Sequence, residues 1–165
     1  KTFLFCMKIR IGFGYDVHRF VPDRELWLGG VKIKHSCGLL GHSDADVLLH
    51  AVCDALLGAV NLRDIGYHFP DTSSEYNNID SKILLQKTYQ LLLEKGYSIG
   101  NIDATICAEK PKINPYIPQM QKIMSEILQI DEDDISIKAT TSEKMGFVGR
   151  EEGIAAYAVV LVQKK

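Results

Sequence analysis

The chain has 165 residues, 46% hydrophobic and 24% charged, with a formal net charge of −2. That length and composition suit a single domain with a sizeable core. The mild acidity offers no electrostatic footprint for nucleic acid, and no apolar run approaches the length that spans a bilayer, which leaves small-molecule chemistry as the favoured class.

Lys1-Thr2-Phe3-Leu4-Phe5-Cys6 precedes Met7 and is too short for a complete signal peptide. Residues 1–6 are therefore expected to be an upstream extension, and 7–165 a single catalytic domain. Cys6, Cys37, Cys53 and Cys107 lie far apart with no paired spacing, a pattern of free thiols in a reducing compartment rather than of a disulfide frame. Ile9-Arg10-Ile11-Gly12-Phe13-Gly14 alternates and runs on into Tyr15-Asp16-Val17-His18. In an extended segment, side chains two apart share a face, so Asp16 and His18 would point the same way. Residues 25–34 are two short alternating runs around Gly29-Gly30, which predicts a hairpin with Trp27 as packing.

The stretch Gly41-His42-Ser43-Asp44-Ala45-Asp46-Val47-Leu48-Leu49-His50 leads into Ala51, Val52, Ala55, Leu56 and Leu57, the composition of a largely buried helix. On such a helix Asp46, His50 and Asp54 stand at i, i+4 and i+8 and form one polar seam. A lone histidine there reads as a core residue held by acids; a metal ligand is the other reading, and it needs partners. Asp16 and His18 supply them. Three protein ligands of the zinc kind leave a coordination position for substrate or water, as catalytic rather than structural sites do. Asp46 or Asp54 is expected to accept the second imidazole proton of His50.

Residues 61–73 are dense in turn formers and are expected to be irregular, either surface filler or a lid. Residues 81–95 predict a helix stopped by Gly96, 99–108 a strand, and 118–128 a second helix with Met120 and Met124 in the core. Asp131 to Asp134 reads as a solvated acidic turn before a strand at 135–139. Residues 139–150 follow, with Thr140 or Thr141 placed to cap a short helix and Glu143 nearby. The same hydroxyls, N–H groups, lysine and carboxylate are also what a metal-bound diphosphate requires. An apolar strand at 154–162 closes the sheet. Neither a Walker A nor a dinucleotide-binding fingerprint occurs.

Several long motifs stand in one order: Gly14-Tyr15-Asp16-Val17-His18, the run from Gly38 to His50, Asp54-Ala55-Leu56-Leu57-Gly58, Asp64-Ile65-Gly66, Phe69-Pro70-Asp71-Thr72, Lys110-Pro111-Lys112, and the run from Lys138 to Phe147. Together they resemble the 2-C-methyl-D-erythritol 2,4-cyclodiphosphate synthase family of the non-mevalonate isoprenoid pathway, over residues 7–162. The resemblance implies a phosphorus–oxygen lyase that converts 4-diphosphocytidyl-2-C-methyl-D-erythritol 2-phosphate to the cyclic diphosphate and CMP. It places zinc on Asp16, His18 and His50, and a second ion, magnesium or manganese, on Glu143. Substrate contacts fall on Asp16, His18, His42, Ser43, Asp64, Ile65, Gly66, Phe69, Pro70, Asp71, Thr72, Ser73, Phe147 and Arg150. A cytidine pocket falls on Ala108, Glu109, Lys110, Pro111, Lys112, Ile113 and Asn114 with Ala139, Thr140, Thr141 and Ser142, and His42 and Thr141 are assigned to hold oxygens as charge shifts.

The implied fold is α+β: a mixed four-stranded sheet with helices on one face plus a small hairpin, in a ferredoxin-like arrangement. The implied assembly is a homotrimer around a central channel, with active sites shared between subunits. Bacterial cytoplasm is the expected compartment, a plastid interior less so. The sequence departs from the family pattern in two places. Glu151 adds a carboxylate after Arg150, which argues against isoprenoid diphosphates in the channel, and Glu109-Lys110 alters the charge beside the cytidine pocket. The competing readings are a non-catalytic, metal-stabilised nucleotide binder and a zinc hydrolase with a metal-activated water; no convincing general base accompanies the triad to favour the latter.

Overall fold

The computed structural model describes residues 8–70 and 78–165. A 14-residue strand, β1 (Ile9–Pro22), opens the chain. The hairpin β2 (Leu26–Leu28) and β3 (Val31–Ile33) and a three-residue strand β4 (Cys37–Leu39) lead to helix α1 (Val47–Ala59). A single turn, α2 (Ile65–His68), precedes α3 (Ser81–Glu94) and β5 (Tyr97–Cys107). Then come α4 (Ile117–Leu128), β6 (Ile135–Thr140), another single turn, α5 (Gly146–Gly149), and β7 (Gly153–Lys164).

Among the described residues the main sheet has five strands in the order β4-β1-β7-β5-β6, not four. The fifth is β4, which pairs with β1 at Phe20, Val21 and Pro22. It exists because β1 outruns its other neighbour: pairing with β7 ends at Arg19 and Gly153, so three residues of β1 continue beyond it. The ferredoxin-like arrangement is also corrected. That motif runs β-α-β-β-α-β, whereas here α4 lies between β5 and β6, and β6 and β7 follow one another with only the single turn α5 between them. β5 and β6 are parallel, which a tight turn cannot connect, so a helix makes the crossover.

Helix α1 lies close against β1 and β7, and two glycines decide how close. A Cβ on Gly12 would stand 1.8 Å from the Ala55 carbonyl oxygen, and one on Gly14 1.8 Å from that of Ala51. The helix answers with Ala51, Ala55 and Ala59, while Leu48, Leu49, Leu56 and Leu57 are fully buried around it. Each such leucine contributes roughly 1.5–3 kcal/mol of burial. Asp46 is not part of the helix. It is the N-cap, accepting from Leu49 N (3.1 Å), and its two oxygens also accept from Gly29 N (2.9 Å) and Gly30 N (2.7 Å), which ties the hairpin to the start of α1.

The alternation of β1 sorts its side chains. Gly12, Gly14, Asp16 and His18 face α1, and Ile11, Phe13, Tyr15 and Val17 face the other way, with Ile11 70% and Phe13 62% exposed. β7 adds Tyr157 and Val159 to that outer face, and the Tyr15 and Tyr157 rings lie 5.1 Å apart. Cys37, Cys53 and Cys107 are free thiols. Among the described residues no helix is long and apolar enough to cross a membrane.

Candidate active site

Strand β1 delivers Asp16 and His18, and helix α1 delivers His50 one turn in from its start. Asp16 Oδ2 lies 3.0 Å from His18 Nε2 and 3.0 Å from His50 Nδ1, and those two nitrogens are 3.1 Å apart. Protons alone cannot satisfy this triangle. The carboxylate oxygen can accept from both imidazoles, but the two N–H groups then face each other; a cation satisfies all three lone pairs at once. The dimensions fit, since a tetrahedral zinc with bonds of about 2.0–2.1 Å has edges of roughly 3.3–3.4 Å. These three side chains are the only such group that could hold a metal among the described residues.

Burial alone would push the His50 imidazole down, but the Asp16 hydrogen bond and charge, with Asp46 and Asp44 beyond, leave it raised above its usual value. Burial of Asp16 acts upward and is outweighed by His18 and His50, which hold the carboxyl well below the usual carboxylate range. In the metal-free protein the Asp16 contribution to stability is thus lost as pH falls through its depressed pKa, and that of His50 as pH rises through its raised one. A proton on His50 Nδ1 competes with a metal ion. The affinity for Zn2+, measured against a chelator, is therefore expected to start falling at a higher pH than an unperturbed imidazole of about 6.5 would give, by roughly tenfold per unit below that point.

The partner of the second His50 nitrogen is neither Asp46 nor Asp54. Nε2 lies 2.9 Å from Ser81 Oγ and 3.1 Å from Ser43 Oγ. The Ser81 hydroxyl donates to Asp44, whose other oxygen accepts from Ser81 N at 3.0 Å. Asp44 and Ser81 thus hold the imidazole from behind and turn Nδ1 toward Asp16. Asp54 instead accepts from Ile65 N at 2.8 Å and so starts α2 inside the stretch expected to be irregular. Arg24, which the sequence did not single out, donates to Gly41 O at 3.0 Å and to Ser43 O, clamping the loop that carries His42 and Ser43.

A cavity of about 290 Å3 collects Asp16, His18, His42, Ser43, His50, Ile65, Gly66 and Phe69, with Ile79 and Leu84 as walls that sequence reasoning missed. Asp64 occupies the N-cap position of α2. Asp71, Thr72 and Ser73 lie outside the described residues. A second cavity of about 410 Å3 sits where β5 and β6 end, lined by Ala108, Glu109, Pro111, Lys112, Ile113, Asn114, Ala139, Thr140 and Thr141, together with Pro115. His18 is opposite Ile154 and Cys107 opposite Ala155 on β7, so both regions lie at the same end of the sheet.

Neither Thr140 nor Thr141 caps a helix. The N-cap of α5 is Met145, with no side-chain bond, and Thr141 Oγ1 instead contacts Glu143 Oε1 at 3.2 Å. Phe147 lies in α5, and Arg150, its C-cap, reaches Glu152 through Nε at 2.7 Å and through a terminal nitrogen at 3.2 Å. The two departures from the family pattern meet: Lys110 Nζ is 3.0 Å from Glu151 Oε1, so their charges offset each other.

The fold and the site define an α+β domain with a candidate divalent-cation centre open to a small-molecule cavity. The YgbB family model matches residues 9–163, and the chain belongs to that family. It is 72% identical over 158 residues to the 2-C-methyl-D-erythritol 2,4-cyclodiphosphate synthase of Parabacteroides distasonis, across 96% of this chain and 98% of the relative. It is 70% identical over 158 residues to the synthase of the same name from Bacteroides thetaiotaomicron, across 96% and 99%. Among solved structures, the CDP complex of IspF from Plasmodium falciparum superposes with a TM-score of 0.84 at 39% identity, over 95% of this chain and 97% of that one. The bifunctional IspDF of Campylobacter jejuni gives 0.93 at 42% identity over 96% of this chain, which spans 43% of that larger protein. The resemblance drawn from the motifs is thereby confirmed.

Proposed function

We infer that this protein converts 4-diphosphocytidyl-2-C-methyl-D-erythritol 2-phosphate to 2-C-methyl-D-erythritol 2,4-cyclodiphosphate with release of CMP, a step of isoprenoid precursor synthesis. The observation that carries the reading is the convergence of Asp16, His18 and His50 on one point of the cavity that also holds His42, Ser43, Ile65 and Gly66. The synthases named above, alike over nearly their whole length, support the same assignment.

The 2-phosphate is itself the oxygen nucleophile and attacks the β-phosphorus, so no side chain has to be activated. The chain must instead fold the substrate until its ends meet and offset the repulsion between crowded anions. Divalent cations, zinc on Asp16, His18 and His50 and magnesium or manganese on Glu143, supply charge neutralisation and polarise phosphate oxygens. A lone carboxylate such as Glu143 suits the second ion, because such ions take most of their other ligands from phosphates and water. His42 and Thr141 hold oxygens as charge moves to the leaving CMP. Ser43, Ile65 and Gly66, with Phe69, Pro70, Phe147 and Arg150, contact the erythritol phosphate. Residues 108–114 and 139–142 seat the cytidine. Phosphorus NMR of the product from the authentic substrate is the test: a cyclic diphosphate plus CMP is expected, and a linear product would mean hydrolysis.

We assign the outer face of the sheet to a homotrimer with a central channel and shared active sites. A contiguous apolar face bearing Ile11, Phe13, Tyr15, Tyr157 and Val159 is unfavourable in water and is the kind of surface an assembly covers. Light scattering should give three times the 18.5 kDa chain mass. Phe13→Arg, which places a charge in that face, should yield an inactive monomer that keeps its helix content.

A further inference from the structure

Where β5 ends, Glu109 sends its side chain from the wall of the 410 Å3 cavity to the segment that follows β6. One oxygen, Oε1, accepts from Ser142 N at 3.1 Å and from Lys144 N at 3.1 Å. The Ser142 hydroxyl, 2.7 Å from its acceptor Met145 O, lies 3.3 Å from the same carboxylate oxygen. The Lys144 N–H, then those Ser142 groups, hold the Glu109 carboxyl below its ordinary range, so the acceptor is charged at neutral pH.

What the carboxylate grips is unusual backbone. Glu143 has φ +53° and Lys144 φ +61°, two successive residues with side chains in the left-handed region. That conformation is costly for L-residues and persists where the surroundings over-determine it. Here the carboxylate binds the N–H on either side of Glu143, and Thr141 Oγ1 accepts from Glu143 N at 3.3 Å and contacts its carboxylate. The backbone on either side of Glu143 is thus held by a residue that lines the cavity.

We propose that Glu109 is a positioning residue that makes nucleotide and divalent-ion binding cooperative, by holding the 142–144 turn so that Glu143 is already aimed when the nucleotide is seated. The proposal rests on the reading of this cavity as the cytidine pocket and of Glu143 as an ion ligand. A nucleotide seated on the 108–114 wall stabilises the clamp, and by linkage an ion on Glu143 strengthens nucleotide binding by the same factor.

The test measures CDP affinity by calorimetry with and without Mn2+, on the zinc-loaded full-length protein and three variants. Glu109→Gln keeps a carbonyl acceptor at the same reach, Glu109→Asp keeps the charge but shortens the reach, and Glu109→Ala removes both. Mn2+ is expected to tighten CDP binding to the wild type and to the Gln variant. In the Asp and Ala variants that tightening, taken relative to each variant's own Mn2+-free CDP affinity, should shrink about tenfold, within the usual range of coupling factors, while Zn2+ content and thermal melting stay near wild type. Undiminished Mn2+ tightening in the Ala and Asp variants would overturn the proposal, as would a Gln variant that behaves like Ala. A wild type that binds no CDP would refute the nucleotide reading with it, and CDP binding indifferent to Mn2+ would refute the ion assignment. Glu109→Asp, the smaller change that also breaks the reach, keeps the comparison with Glu109→Gln even if Glu109→Ala does not fold.

Discussion

Replacing His50 with alanine is expected to abolish turnover, with a loss of three powers of ten or more on the order of what removal of a catalytic metal produces. The triangle of Asp16, His18 and His50 then loses a corner, and two ligands on one strand face cannot hold a zinc-type ion against water. The same substitution opens space in front of Ser81 and Ser43 and leaves their hydroxyls facing a void. Metal analysis after dialysis should find the variant empty, and phosphorus NMR should show neither cyclic diphosphate nor CMP. Ser81→Ala gives the informative comparison. It keeps all three ligands but frees the back of the ring, so a loss of about 10–100-fold in metal affinity is expected, with some activity restored by excess Zn2+. Full activity of His50→Ala at limiting metal would remove the basis of the functional assignment.

Gly14→Val should prevent stable folding or cost several kcal/mol. Overpacking a core by a methylene typically costs about 1–3 kcal/mol, and here even the first added carbon would stand 1.8 Å from a backbone carbonyl oxygen of α1. No rotamer of a neighbour can relieve that contact, because Ala51 O belongs to the helix itself. The helix would have to lift from β1, carrying His50 away from Asp16 and His18. Gly14→Ala, with the same first carbon, should be less severe yet show the same sign in denaturant unfolding, together with weakened metal binding. The two effects are linked by construction of the fold: the contact that lets α1 lie close to β1 is the one that brings Asp16 and His18 together with His50.

The candidate metal triad was legible from the chain because each part follows from local geometry. Asp16 and His18 are two apart in an alternating run, and His50 lies in a helix whose apolar composition is unambiguous. The hairpin at Gly29-Gly30 and the α3 stop at Gly96 were legible for the same reason, since turn chemistry and backbone sign are local properties. The motifs then supplied what periodicity could not, an expectation of which residues face the nucleotide and which the erythritol phosphate.

Failures came where a partner arrives from far along the chain. Asp46 and Asp54 looked like partners of His50 by helical spacing, but Asp46 stands before the first helical residue, and a hydroxyl 31 positions on from His50, brought in by the packing of α3 against α1, takes the place. Strand β4 has three residues and no alternation of its own; it is a strand because the free edge of β1 offers it hydrogen bonds. Glu109 and the turn it grips are 33 to 35 positions apart. Sequence by itself determined the candidate ligand types and the alternation that sorts β1 into two faces, both of which depend on neighbours within a few residues. Only the tertiary structure decided which side chains stand behind those ligands and how the sheet is ordered, because hydrogen bonds between distant segments leave no period in the chain that makes them.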